Sequence, residues 1–335
     1  MITWLDRLAR RVCERMDPKK HGGDPRKALA YLVFHTTLHA QLGNDLINDP
    51  LETLFSRVLG PFVHEFLPAG AEMVLKVDGL PPPRPLGLLL TRATANLLSA
   101  VSSFDVPDEL WRAELGPTRS VYVDIPHGAI VMNAGVNGED ELQLRAILAA
   151  PYLPEGHPGC TLYIAQITDR GSERERGRIA GVLRPDGRIS RADVHGAEGI
   201  AAIPRAKPRP FDPTTESSVG FCAGMFLRMV LAYYFFGPVE ARELIAATPT
   251  EKLRAGKPRK DESLFAVTRL NSTELTGRPK ATMPGSWSLT SHQEVTGHFK
   301  LQPHGPGGSL RKMIWVASYD RGPENAPLKP QAYRI

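Results

Sequence analysis

The sequence predicts an α+β protein: a helical N-terminal third, then antiparallel strands in the middle and C-terminal parts around a buried helix. Three observations predict it. Asp-Pro pairs at Asp24-Pro25 and Asp49-Pro50 punctuate the first third as helix starts. From Ser120 onward, β-branched runs alternate with turn residues. Between two sets of such runs lies the most apolar stretch of the chain, Val219–Phe236.

The elements follow in chain order. Residues 1–16 read as an amphipathic helix, with Trp4, Leu5, Leu8 and Val12 on one face. Its acidic residues Asp6, Glu14 and Asp17, and the lack of an apolar h-region, set it apart from a targeting segment. A second helix is expected from Arg26 to about Asn44 and a third over Leu51–Phe66. A Pro-rich break at Leu80–Pro85 precedes a largely apolar helix over Leu86–Ser103. Ser120–Asn133 reads as two short strands around Pro-His-Gly, and Glu139–Ala150 as a helix. Thr161–Thr168, Arg178–Arg184 and Arg188–Val194 then form a meander, with a hairpin turn at Pro185-Asp186-Gly187 and a charged loop DRGSERERG.

Residues 200–217 form a Pro-rich connector into the Val219–Phe236 helix. That helix is about as long as the shortest membrane span, but Arg228 sits at its centre, where a bilayer would charge about 2.5–3.5 kcal/mol. A core helix of a non-membrane protein is expected. Residues 248–285 are polar and basic, a long loop or surface excursion. Ser291–Gln302 and Arg311–Tyr319 read as two strands around the turn-rich His304-Gly-Pro-Gly-Gly. The change of pattern divides the chain into a mostly helical region, 1–118, and an α+β region, 119–335, as two units or one continuous domain.

Composition excludes several classes. A 335-residue chain with 42% hydrophobic and 23% charged residues is neither disordered throughout nor collagenous nor a coiled coil. Cys13, Cys160 and Cys222 are odd in number and lack CxxC spacing, which points to a reducing cytoplasm rather than a disulfide scaffold. The net charge of +5 is unevenly placed. Residues 251–335 hold 14 Lys and Arg against 7 Asp and Glu, whereas residues 1–250 hold 27 against 29. This asymmetry suggests an anionic partner for the last quarter.

No GxSxG, phosphate loop or strand-linked GxGxxG is present, and nothing in the chain requires an enzyme or a cofactor. His292, His298 and His304 form the histidine cluster that a metal-dependent hydrolase would need, yet their spacing on extended chain is about 20 Å per interval. Arg254, Lys257, Arg259 and Lys260 are the basic residues that a nucleic-acid-binding reading of 252–321 would use. Basic and aromatic residues interleave in 298–321, a pattern suited to gripping RNA or anchoring a peptide.

The same segment carries a resemblance. Val295-x-Gly297-His298-Phe299-Lys300-x-Gln302-Pro303-x-Gly305, then Arg311 to Ile314-Trp315-Val316, then Tyr319-x-Arg321-Gly322-Pro323, resembles a C-terminal signature in a family of phage and plasmid proteins. That family includes the second type V-A anti-CRISPR protein. The family pattern usually places Arg after the aromatic, where this chain has Phe299-Lys300. The match covers about 40 residues, with weaker echoes at Ser120–Pro126 and Val219-Gly220-Phe221. The resemblance implies a non-enzymatic, cytoplasmic protein of a mobile element. It would recognise a segment of a type V-A effector polypeptide and lower its production, with RNA or a ribosome close by. The candidate partner surface is His298, Lys300, Gln302, Arg311, Trp315 and Tyr319.

Overall fold

The computed structural model describes residues 3–41, 50–67, 85–104, 120–134, 140–152, 160–169, 175–184, 189–191, 213–237, 241–249, 263–271, 293–295 and 297–321. The N-terminal part is helical, as expected: α1 (Trp4–Arg15), α2 (Pro18–His21), α3 (Pro25–Gln41) and α4 (Pro50–Val63). Thr3 caps α1 in a capping box, its hydroxyl accepting from the Asp6 amide while the Asp6 carboxylate accepts from the Thr3 amide. Leu5, Leu8, Ala9, Leu29, Val33, Phe55, Val58 and Leu59 bury the inner faces of α1, α3 and α4.

These helices cover one face of a sheet that has nine strands among the described residues. Its strands are β1 (Pro85–Leu90), β3 (Ser120–Asp124), β4 (Val131–Ala134), β5 (Asp140–Tyr152), β6 (Cys160–Asp169), β7 (Glu175–Leu183), β8 (Ile189–Arg191), β9 (Arg242–Ile245) and β10 (Val267–Leu270). They are ordered β8-β7-β6-β5-β3-β1-β10-β9, with β4 paired to β5. Most pairs are antiparallel, but β1 runs parallel to both β3 and β10. Alternation sorts the core into two layers. Val121, Val123, Tyr163, Ile167 and Ile179 face one side, whereas Tyr122, Leu148, Leu162, Ile164 and Val182 face the α1–α4 side. Residues from both 1–118 and 119–335 therefore build one sheet.

The second face is covered by α5 (Arg92–Ser99) and α6 (Pro213–Phe236). Val219–Phe236 of α6 is the one stretch among the described residues long and apolar enough to cross a membrane. It is instead a core helix, with Val219, Ala223, Phe226, Leu227, Val230 and Leu231 buried against the sheet and its neighbours. Tyr163 fixes its approach. The phenol donates to the Gly220 carbonyl at 2.6 Å, and a Cβ on Gly224 would lie 2.9 Å from the phenol oxygen.

A three-stranded sheet, β12 (His298–His304), β13 (Leu310–Val316) and β2 (Val101–Phe104), closes over the C-terminal end of α6. β11 (Gln293–Val295) and β14 (Tyr319–Arg321) pair separately.

Three expectations are corrected. Leu86–Ser103 is not one helix but β1, α5 and β2, broken where Thr91 caps α5 by accepting from the Thr94 amide. Within the expected Glu139–Ala150 helix, the described residues, 140–150, are not helical but belong to β5. Both strands are buried on both faces, so their apolar runs lack the alternation that marks a half-buried strand. Within 248–285, the described residues 263–271 are not a surface excursion: Ser263, Leu264 and Phe265 are buried, and β10 lies inside the sheet. In the charged DRGSERERG segment, the last three residues already belong to β7.

Candidate partner-binding face

β12 and β13 form a regular antiparallel hairpin with His298 opposite Val316, Phe299 opposite Trp315, Lys300 opposite Ile314, Gln302 opposite Lys312, and Pro303 opposite Arg311. Its turn is built by glycines. Gly305, Gly307 and Gly308 have φ of 73°, 62° and 68°, in the left-handed region that a side chain disfavours.

Period two divides the signature into two rows. The inner row is packing. Phe299 is buried, and its ring stands 5.3 Å from Phe236 and 5.1 Å from Trp315, while Trp315 stands 5.0 Å from Phe236. Met313 is buried in the same core. Gly297 belongs to this set as well, since a Cβ there would lie 2.4 Å from Cζ2 of Trp315. The outer row is His298, Lys300 and Gln302 of β12, beside Lys312 and Ile314 of β13. Lys300 and Gln302 are exposed, and His298 and Lys312 are half-buried.

The six residues expected to form one surface are thus distributed over three places. His298, Lys300 and Gln302 share the outer row. Trp315 is turned to α6, and Arg311 pairs with Pro303 at the far end of the hairpin. Tyr319, 44% exposed, belongs to β14 and pairs with Val295. Lys312 joins the outer row without having been singled out, although the two-residue period counted back from Ile314 would have found it.

His298 and His304 occupy the two ends of β12, about 20 Å apart by strand rise, too far to share an ion. No group of three His, Cys, Asp or Glu side chains that could hold a metal ion is found among the described residues. His292, Arg254, Lys257, Arg259 and Lys260 lie outside the described residues.

A second polar cluster, with no sequence signal, lies beneath the N-terminus of α1. The Asp124 carboxylate accepts from the Trp4 amide at 2.9 Å and from the Tyr122 hydroxyl at 2.9 Å. That hydroxyl in turn accepts from the Leu5 amide at 3.0 Å. Asp6 accepts from the Leu264 amide at 2.8 Å, tying α1 to the segment before β10. Burial dominates the electrostatics and raises the Asp124 carboxyl to about 6, against the opposing hydrogen bonds and the Arg145 charge. Burial, then the charge of Asp124, lifts the Tyr122 phenol well above its ordinary value, and burial raises Asp6 as well. The cluster satisfies helix-terminal N–H groups within the core. It is a fastening of α1 to the sheet.

Comparison of the chain with protein-family models, with curated proteins and with solved structures finds no match.

Proposed function

We propose that this chain is a non-enzymatic, polypeptide-binding protein of a mobile element. It acts in the bacterial cytoplasm on a segment of a type V-A CRISPR effector and suppresses the effector's production. The resemblance of the C-terminal signature supplies the partner. The sorting of that signature into two rows carries the reading. Gly297, Phe299 and Trp315 are accounted for by packing, and the glycines of 305–308 by the turn. Lys300 and Gln302 are exposed and serve no core. Residues with no structural demand on them are where recognition is placed.

The test is capture of effector polypeptide from cells that carry a type V-A system, with bound proteins and RNA both identified. Wild type should retain the effector segment, and RNA in the same eluate would place capture on a translating complex. Lys300→Glu combined with Gln302→Ala should lower capture about tenfold or more, as for truncation of an anchor residue. Undiminished capture by the double variant, at equal folded concentration, would remove this face from the reading.

A further inference from the structure

We propose that the outer row of the β12-β13 hairpin captures an acidic polypeptide segment through side chains. The segment sets carboxylates against Lys300, within the field of Lys312, and an apolar residue on Ile314. This rests on the polypeptide-binding reading and names the chemistry of the partner. The register places Lys300 opposite Ile314 and Gln302 opposite Lys312, all four on the side of the hairpin turned away from Phe236. The two lysines are therefore diagonal neighbours, about 7–8 Å apart. Lys300 and Gln302 are exposed, and Ile314 and Lys312 are half-buried.

Charge selects the occupant. Residues 298–316 contain Lys300, Arg311 and Lys312, together with His298 and His304, and no Asp or Glu. Like charges on neighbouring positions of one face repel, and an acidic group set beside them relieves the repulsion. Ile314, in the same row, gives a polypeptide something to bury that a free anion would leave unused. RNA does not suit the row. Phe299 and Trp315, the rings on which bases would stack, are engaged with each other and with Phe236. A second copy of the chain fails on charge, because the row would then meet itself, positive against positive.

The experiment uses the full-length chain and fluorescence anisotropy with a labelled peptide of repeated Glu-Glu-Leu. Its comparators are peptides of repeated Lys-Lys-Leu and of repeated Glu-Glu-Ser. The salt is about 0.15 M, so that charges more than about 8 Å away are screened. Glu-Glu-Leu should bind at least about tenfold more tightly than Lys-Lys-Leu, and Lys300→Glu should erase that preference. Lys27→Glu, at an exposed position of α3 in the layer on the other face of the large sheet, should leave it within about twofold. Glu-Glu-Ser should bind about threefold or more weakly, having lost the contact on Ile314. Urea midpoints equal to wild type show that the variants are folded, and Lys300→Gln gives the same comparison if the charge reversal disturbs the fold.

No binding of Glu-Glu-Leu, or a preference that survives in both Lys300 variants, would overturn the proposal. A preference lost equally in Lys27→Glu would overturn it too, since net charge rather than this row would then do the selecting. Equal binding of Glu-Glu-Ser would reduce the row to a general anion patch, and displacement of the peptide by a single-stranded RNA at lower concentration would give it to nucleic acid. Either result overturns the polypeptide partner. The two readings fail separately. Effector capture by a row with no acidic preference keeps the polypeptide-binding function, and acidic preference without effector capture assigns the row to a different acidic partner.

Discussion

A Cβ on residue 297 would lie 2.4 Å from Cζ2 and 2.8 Å from Cη2 of Trp315. The indole cannot retreat easily, since it is wedged between Phe236 and Phe299. Gly297→Ala should therefore overpack the joint between the hairpin and α6 and destabilise the protein by about 1–3 kcal/mol. Urea unfolding followed by Trp fluorescence measures this, and a loss under about 0.5 kcal/mol would show that the indole has somewhere to go. This contrast between Gly297 and Lys300 was not legible in the sequence. Both belong to the same recognisable signature, and only the register against β13 separates the residue that packs from the residue that faces out. Trp315 shows the same limit. A tryptophan amid basic residues looks like a binding anchor until the helix end that it covers is known.

At the scale of elements, α1 is held by its N-terminus as much as by its apolar face. Trp4, Leu5, Leu8 and Ala9 were readable from their helical spacing, and they are buried as that spacing requires. The fastening was not, because Asp124 lies on a strand more than a hundred residues away and an Asp at a strand end has many ordinary uses. Its chemistry gives a pH dependence. The folded protein holds the Asp124 proton up to a pH of about 6, whereas the ordinary carboxyl value is 3.8. The native state therefore binds more protons than the unfolded state in that interval. Stability from this group is full below about 4 and is lost as pH rises through about 6, by on the order of 3 kcal/mol. Asp6, raised in the same direction, adds to the trend. Asp124→Asn keeps an oxygen for the Trp4 amide and removes the titration. Its unfolding free energy should accordingly fall less than that of wild type between pH 4 and 6.5. Parallel curves for the two proteins would mean that Asp124 titrates as an ordinary carboxyl.

Over the whole molecule, the fold class was legible and the sheet's membership was not. Helical spacing, turn residues and one long apolar run are local signals, and they gave the helical N-terminal part, the β6–β7–β8 meander and the buried α6. β1 and β5 were missed because a strand buried on both faces leaves no period to read, and β10 because it is four residues long and defined by pairing partners far apart in sequence. The oversight matters for what can be cut. β1 lies between β3 and β10, α1 to α4 cover Tyr122, Leu148 and Ile164, and β2 pairs with β13. A fragment of residues 119–335 would lose the strand that joins β3 to β10, the helical cover of one whole sheet face, and the neighbour of β13. Exposing that much apolar surface removes most of what stabilises a domain. Expressed alone, 119–335 should lack a cooperative thermal transition and should bind a hydrophobic dye, while the full chain unfolds in one step. A cooperative transition in the fragment would show that the C-terminal region carries a core of its own, and the hairpin's partner surface could then be studied without the helices.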